Sequence, residues 1–226
     1  MIIVATQCVA SFKSENNYPL LIQKHILSDH SLLAFWKMEE TEEQLRTMCD
    51  LCDEDLKVIG NNSAHKRHIE LLSVRALLKA VGINQTIHYN DSKPYLDNGY
   101  ISISHSSDIA AIIYNPEHPV GIDIEKISPK IQHIASRVFS DKELAAAKGD
   151  LEKMTVLWNS KECVVKLAND DSINFREMIN VDMPSGFSFQ DNIIINCTLK
   201  KSEHTTVFSL SAMKIEGNTV AWGRGK

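Results

Sequence analysis

The feature that most constrains this chain is a run of helical periodicity that ends in Trp158-Asn159-Ser160-Lys161-Glu162-Cys163-Val164-Val165-Lys166. Met154, Leu157, Val164 and Ala168 share one face of such a helix, so a neighbouring layer must cover that face. Glu162 and Lys166 stand four apart, one above the other, with Trp158 a turn earlier on nearly the same line. Taken alone this is an exposed Glu-to-Lys pair contributing roughly 0.3–0.5 kcal/mol. A second stretch changes its meaning. In Gly121-Ile122-Asp123-Ile124-Glu125 polar and apolar residues alternate, so a strand puts Asp123 and Glu125 on one face. Two carboxylates from a strand and one from a helix form an oxygen-rich set suited to Mg²⁺. A lysine one turn beyond the third carboxylate is placed to meet a phosphate leaving group.

Composition narrows the class. The chain has 226 residues, enough for one large domain or two small ones. Its 43% hydrophobic and 23% charged content is that of an ordinary soluble globular protein. The net charge of −5 argues against a general nucleic-acid binder, though not against a local basic pocket. Five cysteines without framework spacing suggest free thiols in a reducing compartment. Met1-Ile2-Ile3-Val4-Ala5 lacks the basic flank and length of a secretion signal, and no apolar run approaches a membrane span of ~18 residues. The expectation is a cytoplasmic protein without a membrane or nucleic-acid partner.

The pattern is α+β. Leu32 to Trp36 reads as a strand. Thr41 opens a helix with Gln44 as its capping-box partner, and residues 53–60 are ambiguous. A helix starting at Asn62-Ser63 carries Ile69, Leu72, Ala76, Leu77 and Val81 on its apolar face and ends at Gly82. Lys93-Pro94 is extended, Asp97-Asn98-Gly99 is a turn, and Ile101–Ser104 and Ile109–Tyr114 are strands around His105-Ser106-Ser107-Asp108. Pro116 and Pro119 bracket the best boundary, giving an N-terminal lobe of residues 1–117 and a C-terminal lobe of residues 118–226. Beyond it come the Gly121–Glu125 strand, a helix from Ile131 to Val138, and a helix capped by Ser140 with Glu143 at N3. The long helix runs from Leu151 to Leu167. Strands follow at Phe187–Phe189, Ile193–Leu199 and Thr206–Lys214, then a Glu216-Gly217-Asn218 turn and a last strand, Val220–Trp222.

Two further patterns compete for a function. Cys49-x-x-Cys52 and His65-x-x-His68 approach zinc-finger spacing, but the histidines are one residue too close, and ordinary thiols and solvent-facing imidazoles explain them. His65-Lys66-Arg67-His68 with Arg75 and Lys79 makes a basic helix face, either a solvated surface or an anion site. Glu143 is explained by its cap and carries no chemistry here.

Together these residues resemble the 4′-phosphopantetheinyl transferase superfamily, in its two-lobed surfactin-synthetase-activator form. That family's pattern is a Gly-x-Asp-x-Glu strand, then Phe-Ser/Thr-x-x-Glu, then Trp-x-x-Lys-Glu-x-x-x-Lys. The chain has Gly121–Glu125, Phe139-Ser140-Asp141-Lys142-Glu143 and Trp158–Lys166 in that order, with Lys93-Pro94 and Ser104-His105-Ser106 as further matching segments. Residues 1–60 and 170–226 carry no matching motif. The resemblance implies two similar α/β lobes related by a pseudo-twofold, antiparallel strands packed on a long helix in each, and a monomer. It also implies transfer of the 4′-phosphopantetheine arm from coenzyme A to a serine of an apo acyl or peptidyl carrier protein. Adenosine 3′,5′-bisphosphate is the other product. Asp123, Glu125 and Glu162 would hold Mg²⁺. Glu162, or a metal-bound water oriented by it, would serve as the base, and Lys166 would stabilise or protonate the leaving oxygen. Arg67, Lys93, Ser104, His105 and Lys166 would bind coenzyme A. Arg137, Lys142 and Lys148 are candidates for a local basic patch facing an acidic carrier. A catalytically idle binder and an unrelated Mg²⁺-dependent phosphodiesterase stand as competitors.

Overall fold

The computed structural model describes residues 20–184, 186–189 and 193–225, so the Met1–Ala5 run and Cys8 lie outside it. The architecture is α+β, with two antiparallel sheets each packed on a long helix. The first sheet has the order β1-β2-β6-β5, formed by Leu21–Ile26 (β1), Leu32–Lys37 (β2), Tyr100–His105 (β5) and Ile109–Asn115 (β6). His88–Asn90 (β3) and Lys93–Tyr95 (β4) pair as a separate ribbon. Three helices, Glu42–Met48 (α1), Asp53–Gly60 (α2) and His65–Val81 (α3), accompany the first sheet. The second sheet has the order β7-β11-β10-β9-β8, formed by Val120–Lys126 (β7), Ile179–Asp182 (β8), Ile193–Lys201 (β9), His204–Ile215 (β10) and Asn218–Arg224 (β11). Its helices are Ala135–Val138 (α4), Asp141–Ala147 (α5), Leu151–Ala168 (α6) and Phe175–Met178 (α7).

Strand alternation explains how three cores arise from two sheets. In β2, Leu32, Ala34 and Trp36 face α3 and join Leu72, Ala76 and Leu77, whereas Leu33 and Phe35 face the other way. There they meet Ile122 and Ile124 of β7 and Trp222 of β11. That middle core binds the halves together. The third core lies between α6 and the second sheet, where Met154, Leu157 and Val164 are buried as the periodicity requires. No helix among the described residues is long and apolar enough to cross a membrane.

The sheets adjoin at β5 and β7 without a backbone ladder. Serine side chains do the joining: the Ile122 N–H donates to Ser102 Oγ at 3.1 Å and the Ile124 N–H to Ser104 Oγ at 3.2 Å. Helix α6 then sits close on β7. A Cβ added to Gly121 would come within 2.8 Å of the Cys163 carbonyl oxygen and 2.9 Å of Leu167 Cγ. Only a glycine permits this approach, which gives the first residue of the Gly-x-Asp-x-Glu strand a packing reason.

Local signals held where caps were conventional. Thr41 and Ser140 both close capping boxes, with Gln44 and Glu143. Gly82 ends α3 at φ +85°. Residues 53–60 are a helix whose start was illegible because Cys52 stands at the cap, its N–H donating to Asp55 Oδ2 at 3.2 Å. Helix α3 begins at His65, later than Asn62-Ser63, since the Asn62 side chain donates to the Val58 carbonyl of α2 at 2.7 Å. The expected helix over Ile131–Val138 is instead a 3₁₀ turn, Pro129–His133, followed by α4. Phe187–Phe189 is not a strand; its two rings stack edge-on at 4.9 Å. Helix α7 and strand β8 were not expected at all.

Candidate active site

Asp123 is the hub. It sits on β7, buried at the joint of the two sheets, with 6% exposure. Its Oδ1 accepts from Ser104 Oγ at 2.9 Å and from Lys166 Nζ at 2.8 Å, and its Oδ2 accepts from Asn159 Nδ2 at 2.8 Å. Strand β5 supplies the first donor and helix α6 the other two. Lys166 also donates to the Ile122 carbonyl at 2.7 Å, which pins its ammonium against β7.

Glu162 lies on α6 between Asn159 and Lys166. Burial first, and then the charge of Asp123, push its carboxyl up to about 7; Lys166 opposes and Glu125 adds to the rise. Glu125 is raised too, by burial and by Asp123, against a hydrogen bond from Trp158 and the charges of Lys166 and Lys66. Asp123 thus acts on both glutamates, and Glu125 on Glu162. Crowded negative charge of this kind is what a cation relieves.

Among the described residues no group of three or more His, Cys, Asp or Glu side chains is arranged to hold a metal ion unaided. The two oxygens of Asp123 already accept three hydrogen bonds. By charge and donor type the trio still fits a hard divalent cation, which takes oxygen ligands and keeps water. Lys166 lies where part of that positive charge would be needed.

From the first half, the first turn of α3 and the end of β5 approach the same joint. Burial drives His105 down to about 4, with Glu70 opposing and Arg67 and Lys166 reinforcing. Its ring is thus neutral near pH 7, and its Nε2 is buried without a hydrogen-bond partner. Arg67 is paired with Glu70 at 2.9 Å and stays partly exposed. Lys93 of β4 reaches past the end of α6 to Asp171 at 3.1 Å. Arg67, His105, Asp123, Glu125, Glu162 and Lys166 are therefore within electrostatic reach of one another along the chain of contacts just described, while Lys93 marks the far end of α6. The Ser104 hydroxyl is committed twice, donating to Asp123 and accepting from Ile124.

Sequence reasoning missed four participants. Glu70 partners Lys66 and Arg67 at i+4 and i+3, a spacing that was readable. Asn159 and Thr219 give no local signal. Lys161 is wholly buried and joins Glu143 at 2.9 Å while donating to the carbonyls of Phe175 at 2.7 Å and Ile179 at 2.8 Å. Glu143 also accepts from the Val181 N–H at 2.9 Å. It is thus a cap and a buried tie between α5, α6 and β8. Burial outweighs Glu143 and lowers the proton affinity of Lys161.

The basic face read along α3 is not one surface. Arg75 is buried, its Nε on Asp55 and its Nη1 on the Leu71 carbonyl at 2.8 Å. Lys79 pairs with Asp50 at 2.7 Å. These residues line a cavity of about 280 Å³ on the far part of α3, which includes none of the expected site residues. Cys49 contacts the Leu72 carbonyl and Cys52 the Asp55 carboxylate. His68 bridges Glu42 and the Asn62 carbonyl, so it is not solvent-facing. Lys142 of the expected basic patch pairs with Asp182 at 3.0 Å.

Residues 119–214 match the family model of the 4′-phosphopantetheinyl transferase superfamily. A stretch of 90 residues is 36% identical to the L-aminoadipate-semialdehyde dehydrogenase-phosphopantetheinyl transferase of Pongo abelii, covering 34% of this chain and 29% of that protein. The match spans less than a third of that relative's length. Over residues 119–214, with the Asp123 hub, the Glu162 helix and the Gly121 contact all inside, the chain is similar to the 4′-phosphopantetheinyl transferase superfamily.

Proposed function

We propose that this protein transfers the 4′-phosphopantetheine arm of coenzyme A to a serine hydroxyl of an apo acyl or peptidyl carrier protein, releasing adenosine 3′,5′-bisphosphate. The observation that carries the proposal is the joint itself: Asp123 of β7 pairs with the Lys166 ammonium of α6 at 2.8 Å, and the charges of Asp123 and Glu125 add to burial in raising the carboxyl of Glu162 beside them. The bond broken lies within a diphosphate, so negative charge grows on the departing phosphate, and catalysis consists mainly of positioning and neutralisation.

Each residue then has a task. Glu162, with a carboxyl near 7, is poised to accept the proton of the attacking serine. Lys166, held by Asp123 and the Ile122 carbonyl, faces the departing oxygen with its positive charge. Arg67 and Lys93, partly exposed cations, are suited to the 3′-phosphate end. His105, kept neutral, offers a ring nitrogen as donor or acceptor to the nucleotide. Asp123, Glu125 and Glu162 would hold Mg²⁺, which when bound supplies charge neutralisation at the diphosphate.

Incubation with coenzyme A, Mg²⁺ and purified apo carriers tests this reading by mass spectrometry. A carrier mass gain of one phosphopantetheine is expected. Hydrolysis of coenzyme A with no gain would favour a phosphodiesterase, and no change would favour a binder without turnover. Comparing fatty-acid, polyketide and nonribosomal-peptide carriers by kcat/KM identifies the preferred acceptor.

A further inference from the structure

We propose that Asn159, fixed from behind by Thr219, is a positioning residue that decides which oxygen of Asp123 faces the reacting groups. The inference rests on the proposed transfer reaction for its consequence. Its basis is a hydrogen-bond chain crossing three elements. Thr219 Oγ1 on β11 donates to Asn159 Oδ1 on α6 at 2.5 Å, and Asn159 Nδ2 donates to Asp123 Oδ2 on β7 at 2.8 Å. Asn159 and Thr219 are both fully buried.

The chain has only one workable direction. A carboxylate accepts and does not donate, so the amide must turn its NH₂ toward Asp123. Its oxygen then needs a donor, and Thr219 supplies one. A flipped amide would set oxygen against oxygen at Asp123 and leave the NH₂ with only the threonine hydroxyl. The two fixed partners therefore define the rotamer of the asparagine, and the asparagine defines that of Asp123. Oδ2 is committed to Asn159, while Oδ1 is left on the side shared by Ser104 and Lys166.

Register makes the device effective. Thr219 lies opposite Glu125 and Ala221 opposite Asp123 in the β7–β11 ladder. Asn159 is three residues before Glu162 on α6. One side chain thus links the strand bearing two of the carboxylates to the helix bearing the third. Asn159 also falls at a position that Trp-x-x-Lys-Glu leaves open, so it is a feature of this chain's site and not of the motif.

The test uses Thr219→Val, which removes the hydroxyl at nearly constant shape, together with Asn159→Ser and the rescue variant Thr219→Ser. Three measurements are compared with the unmodified chain: kcat and KM for coenzyme A, Mg²⁺ affinity by calorimetry without carrier or coenzyme A, and the melting temperature. Expected are a fall in kcat of roughly tenfold or more, a KM changed less than twofold, and Mg²⁺ binding weakened about tenfold, as loss of an outer-shell partner does. Thr219→Ser should recover most of both. Folded Thr219→Val and Asn159→Ser proteins with lower melting temperatures but unchanged kcat and Mg²⁺ affinity would overturn the inference, because they would show a structural part only. A native chain that binds no divalent cation would overturn it as well. A native chain that binds Mg²⁺ but transfers nothing would instead sink the transfer reading, with the calorimetric comparison still deciding for Asn159.

Discussion

Helices α3 and α6 are of nearly equal length, 17 and 18 residues, and each covers one sheet. They use their charges differently. On α3 the cations are paired with its own residues or with nearby chain: Arg67 with Glu70, His68 with Glu42, Arg75 with Asp55 and Lys79 with Asp50. On α6, Lys161 and Lys166 reach inward to the backbone of neighbouring elements. Lys161 caps the carbonyls of Phe175 and Ile179, and Lys166 that of Ile122. Except for the buried Arg75–Asp55 pair, contacts of the first kind are partly exposed and contribute little, commonly below about 1 kcal/mol. Contacts of the second kind fix the distance between a helix and a strand. The difference teaches that a site depends less on how many charges a helix carries than on whether they tie it to the neighbour bearing the other half of the chemistry.

The largest test sets the two buried ion pairs side by side. Arg75→Met and Lys161→Met each remove one partner of a buried pair and should lower stability by about 3–5 kcal/mol in chemical denaturation. At temperatures where both stay folded, Arg75→Met should leave transfer kinetics unchanged, whereas Lys161→Met, adjacent to Glu162, should reduce kcat. Equal kinetics in the two would erase the contrast.

Next in size are the chemical groups. Glu162→Gln should cut kcat/KM roughly 10³-fold, the usual scale of a lost general base. Lys166→Ala should lower kcat far more than coenzyme A affinity, which marks an interaction made in the transition state. The pH dependence has a definite sign. Glu162 has a raised folded pKa of about 7, so its contribution to stability is full at low pH and is lost as pH rises toward and through 7. His105 has a lowered pKa of about 4, so its contribution is present above its ordinary value of 6.5 and is lost as pH falls from there toward 4. Added Mg²⁺ should therefore raise the melting temperature more at pH 8 than at pH 5.5, and Glu162→Gln should flatten that difference.

A smaller effect is expected at Gly121→Ala, where the added methyl meets the Cys163 carbonyl at 2.8 Å. Overpacking of this kind costs about 1–3 kcal/mol. Since the methyl pushes α6 off β7, kcat should fall with stability. Gly82→Ala on α3 meets no atom within 4 Å. It should destabilise through its positive φ alone, by roughly 1 kcal/mol, with no kinetic effect. Smallest are the caps: Thr41→Ala and Ser140→Ala should each cost about 1 kcal/mol. Ser140→Ala also removes a donor from Glu143, so it should cost more than its counterpart in the first half.

Much of the second half was legible for a local reason. Strand alternation set Asp123 with Glu125, helical spacing set Glu162 with Lys166, and Ser140 with Glu143 announced a helix start. The first half was harder. Cys52 hid a cap, Asn62 served the preceding helix, and Arg75 looked like a surface cation while its partner Asp55 lay twenty residues away. Helix α7 and strand β8 are only four residues each; Asn174 caps the helix, but Lys161 and Glu143, distant in sequence, tie both to α6 and α5.

By itself, then, the sequence determined periodicity, turns, the α+β pattern and which carboxylates and lysine share a strand face or a helix face, because those follow from spacing within a few residues. The tertiary structure decided which of the charges meet. Asp123 lies 36 residues from Asn159 and 19 from Ser104. No local rule brings such groups to hydrogen-bonding distance; the close seat of α6 on Gly121 and the serine-bridged joint of β5 and β7 do.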